Sequence, residues 1–187
     1  MAEVIELERF RARLAADQGF RSWLAHFKEQ FPPTTRLRDL SDRTLLYLAA
    51  PGEEQLYVYF DLIMGVQGLG GSLKFRLDAI DNVTKLKILD AALALLDRVR
   101  FEVLRRLKWV EDGPSGAEAP LLELVRQAWR QGGAAAGGEL PRLAETHPQY
   151  EAYRKLAPLD QGVFLRRLIP EAVAEFKARV EGAAGAG

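Results

Sequence analysis

Apolar residues recur every three or four positions along most of this chain, the spacing of a helix that buries one face. Phe20, Trp23, Leu24, Phe27 and Phe31 fall at i, i+3, i+4, i+7 and i+11 and form one stripe. They sit in a segment, Glu3 to Phe31, that reads as helix with a kink or break at Asp17-Gln-Gly19. Pro32-Pro33 ends it, because a proline has no backbone N–H and disfavours helical geometry in the residue before it. Ser41-Asp42 suits a helix N-cap and predicts a short helix over Arg43 to Ala50. After the Pro51-Gly52 turn, Leu56, Tyr59, Phe60 and Ile63 continue at helical spacing. Leu56-Tyr-Val-Tyr-Phe60 also has the composition of a strand, but the surrounding period favours helix.

The dominant feature is a long segment, Ser72 to Glu111, whose stretch from Val83 to Val110 contains neither glycine nor proline. It predicts one long helix at the centre of the fold, bent or restarted near Asp81-Asn82. Pro120 to Gln131 forms another helix, with Leu121, Leu122, Leu124, Val125, Ala128 and Trp129 on a broad apolar face. Beyond the flexible composition of Gly132 to Gly138, shorter helices are expected over Leu140 to Glu145, Gln149 to Leu156 and Asp160 to Glu181, the last divided by Pro170. The predicted fold class is therefore all-α, a multi-helix bundle around a central helix at about 72–111. Its expected organisation is a helical core domain over 1–131, a Gly/Ala link over 132–138 and a smaller helical element over 139–187 packed on the core.

With 187 residues and 48% hydrophobic composition the chain can bury a sizeable core. The acidic, interrupted start lacks the pattern of a signal peptide. The longest apolar run, Ala91 to Leu96, is too short to span a bilayer. The absence of cysteine removes disulfides and thiolate metal sites. These features set a cytoplasmic location as the expectation. Basic and acidic residues number 26 each, which argues against a nucleic-acid binder. A helix-turn-helix over Ser41 to Gly65 would carry Glu53, Glu54 and Asp61 on its second helix and no base-reading cation.

Catalytic vocabulary is sparse. Gly65-Val-Gln-Gly-Leu-Gly-Gly71 lacks the Lys-Ser/Thr of a phosphate loop and the order of a dinucleotide fingerprint. It reads as a helix stop with close packing, leaving an anion at the next helix N-terminus as the functional alternative. His26 and His147 have no carboxylate or second histidine at i+3 or i+4, so neither suggests a metal site. No cofactor is expected. Asp90 interrupts the apolar run Ile88 to Leu96, which predicts a partly buried, hydrogen-bonded carboxylate. Asp97 lies two turns further on. Arg98, Arg100, Arg105, Arg106 and Lys108 make a basic end to the long helix, either an anion or partner patch or a solvated face favoured by the helix dipole. Tyr59 and Trp109 belong to a set of aromatics that fits core packing or an apolar pocket.

The leading expectation is an interaction or regulatory protein, not an enzyme, that docks a helix face onto a protein partner or a second copy of itself. The faces Phe20 to Phe31 and Pro120 to Gln131 are the candidates to remain uncovered once the core is full. A carrier or sensor with an apolar small molecule between helices is the alternative. An enzyme using buried Asp and Arg is the third. The candidate binding residues are Asp90, Asp97, Arg98, Arg100, Arg105, Arg106, Tyr59 and Trp109.

Overall fold

The computed structural model describes residues 2–70, 79–111, 119–131 and 140–184. Among them the fold is all-α, eight α-helices of which one is long and central, with no strand. Helix α1 (Ala2–Gly19) and helix α2 (Arg21–Phe27) are separated by a bend at Phe20, so the chain breaks one residue after Gly19. Lys28 closes α2 in the left-handed conformation (φ 61°), ahead of the two prolines. Helix α3 (Asp42–Ala49) starts as its sequence predicts: Ser41 Oγ accepts the Thr44 N–H at 3.1 Å. Glu29 Oε1 then accepts both the Ser41 and Thr44 hydroxyls, at 2.7 and 2.9 Å, tying this N-terminus to the chain that leaves α2.

Helix α4 (Glu53–Val66) contains the whole of Leu56 to Phe60, so helical spacing overrides the strand-like composition. Its Gly65 lies against α1: a Cβ there would meet the Gln18 carbonyl oxygen at 2.5 Å and Gly19 Cα at 2.7 Å. This glycine is a close-packing residue inside the helix. The positive φ values, 68° and 93°, belong to Gly68 and Gly70 just beyond it.

The central helix α5 spans Asn82–Arg106 and is shorter than the expected 72–111. Asp81 caps it, accepting the Thr84 N–H at 2.9 Å and the Thr84 hydroxyl at 2.6 Å. Residues 71–78, the start of the expected helix, lie outside the described residues. At the other end the N–H of Trp109 bonds the carbonyl of Leu104 and that of Lys108 bonds Arg105, both at 2.9 Å. With Lys108 left-handed (φ 61°), this is a Schellman closure built on lysine in place of glycine. Buried residues Ile88, Ala91, Ala92, Leu95, Val99 and Val103 carry α5 into the core. Helices α3, α4, α6 (Leu121–Gln131) and α8 (Pro158–Ala184) all pack on it.

The C-terminal region departs from expectation in two places. Leu140 to Glu145 is not helical. Leu143 forms an isolated antiparallel bridge with Val110, held by Glu111 N–H to Arg142 O and Ala144 N–H to Trp109 O, both 2.9 Å. A one-turn helix α7 (Tyr150–Tyr153) follows. Helix α8 then runs unbroken through Pro170. Its buried Leu165, Leu168, Ile169, Ala172 and Phe176 join the same core as α3 and α5. Residues 132–139, the expected link, lie outside the described residues.

Pro170 and Arg166, one turn earlier, are both exposed. The Arg166 carbonyl that proline leaves without a donor therefore lies on the solvent side, where water can satisfy it. Burial of the opposite face holds the helix together across this position. Replacing Pro170 with Ala restores the missing donor and should raise stability by about 1–3 kcal/mol. Urea unfolding checks this, and an unchanged midpoint would count against the account.

Candidate functional site

Most residues of the basic end of α5 are engaged in holding the fold. Glu102 is 3% exposed and receives Arg105 at 2.5 Å and Arg106 Nε at 3.4 Å. The Arg106 guanidinium reaches across to the chain entering α3. It pairs with Asp42 and donates to the carbonyls of Leu37, Arg38 and Leu40 at 3.3, 3.2 and 2.7 Å. Its own carbonyl accepts Arg179 of α8 at 3.3 Å. Arg106 is thus neither a solvated side chain nor an open anion site, but a clamp joining three parts of the chain.

Arg100 and Tyr59 do the same at the other end of α3. Arg100 Nε donates to the Ala49 carbonyl at 3.3 Å, and the Tyr59 hydroxyl donates to the Leu48 carbonyl at 2.9 Å. Both satisfy carbonyls that the helix end leaves unpaired. Burial holds the Tyr59 phenol well above its ordinary pKa, so it remains a donor. Arg98 is half-buried, and that burial pulls its pKa down.

The two aspartates diverge. Asp97 is half-buried and pairs with Arg166 of α8 at 2.9 Å. Asp90 is exposed, which corrects the expectation of a partly buried, hydrogen-bonded carboxylate. The apolar run surrounds Asp90 in sequence but not in space: its neighbours Leu89 and Leu93 are themselves exposed.

Those two leucines belong to an uncovered face. Val83, Leu86, Leu89 and Leu93 are 66%, 61%, 37% and 48% exposed. Leu86, Leu93, Asp97 and Leu104 fall at i, i+7, i+11 and i+18, one line along α5. From Asp97 onward α8 lies on this side: Arg166 pairs with Asp97 and sits 6.0 Å from the Phe101 ring centre, and Leu104 is fully buried. Before Asp97 the line is bare. The pairs Asp97–Arg166 and Arg106–Arg179 run in the same order along both helices, so α5 and α8 are parallel here. The first turns of α8 therefore lie towards the bare half of α5, and they present Leu159 and Val163, 87% and 57% exposed.

No family model, curated protein or solved structure matches this chain.

A second feature lies at the far end of α5. A cleft of about 500 Å³ is lined by Leu107, Lys108, Trp109, Thr146, His147, Pro148, Gln149, Glu171 and Glu175. The bridge at Val110 and Leu143 brings the turn carrying His147 beside Trp109, with ring centres 5.1 Å apart and near-perpendicular. The Gln149 N–H donates to His147 Nδ1 at 3.2 Å. That bond selects the neutral tautomer with its proton on Nε2. Partial burial pulls the His147 pKa below its ordinary value, while Glu171 and Glu175 oppose the shift. Among the described residues no group of three His, Asp or Glu side chains is placed to hold a metal ion.

The anion alternative for the glycine cluster concerns the helix N-terminus expected after Gly71, and residues 71–78 lie outside the described residues. Gly65 sits in the last turn of α4, and Gly68 and Gly70 follow its C-terminus, whose dipole repels anions. The cleft there, about 410 Å³, is lined by Gln18, Arg21, Ser22, Ala25, Asp61, Gly65, Gly68 and Gly70.

The faces expected to remain uncovered are instead largely filled. Phe20 and Trp23 are buried, with Leu24 the one strongly exposed member of that stripe. Leu121, Leu122, Leu124, Val125 and Ala128 of α6 are buried too. Sequence reasoning missed the leucines of α5 because it assigned the whole apolar run to the core. It missed the cleft because its carboxylates lie more than twenty residues from His147.

Proposed function

We propose that this protein is a helical interaction module that self-associates through the uncovered face of α5 and the first turns of α8. The supporting observation is the bare apolar line Val83, Leu86, Leu89 and Leu93, continuous with the part of α5 that α8 covers. Each such side chain gains on the order of 1 kcal/mol when its exposed part leaves water, before association costs.

Charge favours a second copy as the occupant. Lys87 and Asp90 are exposed on the same flank of this line, three residues apart. Two α5 helices packed antiparallel about a two-fold axis near Leu89 place each Lys87 against Asp90 of the other copy. The same register lets the leucines of one helix fall between those of the other, an isologous contact. Lys87 also lies 5.8 Å from the centre of the Trp129 ring, which holds its stem near this flank.

Light scattering over a concentration series is the test. The wild-type chain should shift from monomer to dimer. Leu86→Asp/Leu93→Asp should remain monomeric with an unchanged helical spectrum, because both residues are exposed in the single chain. Lys87→Asp alone should weaken the dimer about tenfold or more, and Lys87→Asp/Asp90→Lys should restore much of the loss. A wild-type chain that stays monomeric to millimolar concentration overturns self-association. A dimer indifferent to the leucine pair overturns this face.

A further inference from the structure

We propose that the cleft between Trp109, His147 and α8 binds a compact organic cation, a primary ammonium or guanidinium group. It lies at the opposite end of α5 from the self-association face and does not depend on it.

The cleft combines three properties that suit such a group. Glu171 and Glu175 stand one turn apart on the same side of α8, both lining it. Among the described residues neither has an ion-pair partner within 4 Å, so two carboxylates are available for charge-assisted hydrogen bonds. The half-buried Trp109 supplies an aromatic wall, and a cation is drawn to an indole face. Leu107 and Pro148 add apolar surface that fits the methylene stem attached to an ammonium or guanidinium. A volume of about 500 Å³ lies within the usual range for small-molecule sites.

Other ligand classes fit less well. An anion would face two carboxylates with Lys108 as the one lining cation. A divalent metal lacks a third ligand, since His147 and the two glutamates are not grouped for coordination. The walls are held in place by the fold: Lys108 and Trp109 by the Schellman closure, and His147 by its N–H to the Ala144 carbonyl at 2.9 Å and by the Gln149 contact.

Titration of His147 follows from the same geometry. The charged groups around it are Glu171 and Glu175 from α8 and Lys108 from the end of α5. Burial holds its folded pKa below the ordinary imidazole value, so above that pKa the imidazole is neutral and the two glutamates outweigh Lys108 in the cleft. Protonation at lower pH adds a competing cation. Cation affinity should therefore fall as pH drops through the depressed His147 pKa, and bound cation should lower that pKa further, as linkage requires.

The test is nuclear magnetic resonance titration of the full chain with agmatine, with a blocked tripeptide Gly-Arg-Gly and with magnesium. We expect the Trp109 indole N–H and the His147 ring signals to shift with agmatine or the peptide, saturably. Tighter binding of the peptide assigns the cation to a polypeptide side chain, and equal or tighter binding of agmatine assigns it to a free amine. Glu171→Gln/Glu175→Gln, on an exposed stretch of α8, should weaken either about tenfold or more and leave the helical spectrum unchanged. Saturating agmatine should lower the His147 pKa in the wild type but not in the double variant. No saturable shift up to about 50 mM, an equal response to magnesium, or an undiminished affinity in the glutamine variant would each overturn the proposal.

Discussion

Arg106→Leu should lower the unfolding free energy by about 3–5 kcal/mol, a loss far beyond that of an ordinary surface arginine. The guanidinium serves a carboxylate, Glu102, that is 3% exposed, and three carbonyls that lead into α3. Removing it leaves Glu102 with Arg105 as its remaining ion partner in the clamp and strips donors from Leu37, Arg38 and Leu40. A carboxylate kept from water without adequate pairing is costly, whereas a carboxylate removed together with its partner is not. Glu102→Leu/Arg106→Leu should therefore recover part of the loss, with the remainder reflecting the carbonyls. Urea denaturation of the three proteins measures the coupling. If Arg106→Leu lies within about 0.5 kcal/mol of wild type, the clamp has no energetic role and the arginine is a solvated side chain after all.

That clamp illustrates what periodicity conveys and what it omits. The apolar spacing of α3, α4 and α6 needed no tertiary information, and Ser41 and Asp81 marked boundaries through local chemistry, whereas α2 ends at Phe27, four residues before the expected end at Phe31 ahead of Pro32-Pro33. The end of α5 carried no such mark. Lysine occupies the left-handed position of the closing motif where glycine is usual, so the helix stops at Arg106 although the sequence continues in helical character. The opposite failure occurs at Pro170, a strong breaker that α8 absorbs because its unpaired carbonyl faces water and its buried side is anchored by Leu165, Leu168, Ile169 and Ala172.

The candidate sites were legible only in part. Arg100, Arg106 and Tyr59 stand out in the sequence as candidate binding residues, but their partners here are main-chain carbonyls of α3 and of the segment that leads into it, about ten to seventy residues away. A sequence motif cannot encode a bond to a carbonyl, since every residue has one. Apolar residues flank Asp90 on both sides in the sequence, which predicts partial burial. Whether those flanks are themselves covered depends on where α8 ends its contact, and the crossing at Asp97–Arg166 decides it. His147 and Trp109 have no local companions. The bridge between Val110 and Leu143, a pairing of two short extended stretches, is what brings them to Glu171 and Glu175.

Trp23→Ala should cost about 3–5 kcal/mol, the range for truncating a large buried aromatic. The residue is completely buried and stands at the centre of the aromatic group formed with Phe20, Phe27 and Phe31, with ring centres 5.4–5.7 Å apart among its contacts and between Phe20 and Phe31. Its indole N–H donates to the Val58 carbonyl in the middle of α4 at 2.9 Å, the contact that pins α2 onto that helix. Two terms separate on comparison with Trp23→Phe. Phenylalanine retains most of the ring volume but loses the hydrogen bond, and Val58 keeps its place in the helical ladder as an acceptor. The phenylalanine variant should therefore lose about 1–2 kcal/mol, the alanine variant the additional cavity cost. Both variants should keep the charge and the exposed line of α5, so their dimerisation should match wild type wherever they remain folded. A Trp23→Ala protein as stable as wild type would mean that α2 does not belong to the core, and the stripe Phe20 to Phe31 would return as an uncovered docking face.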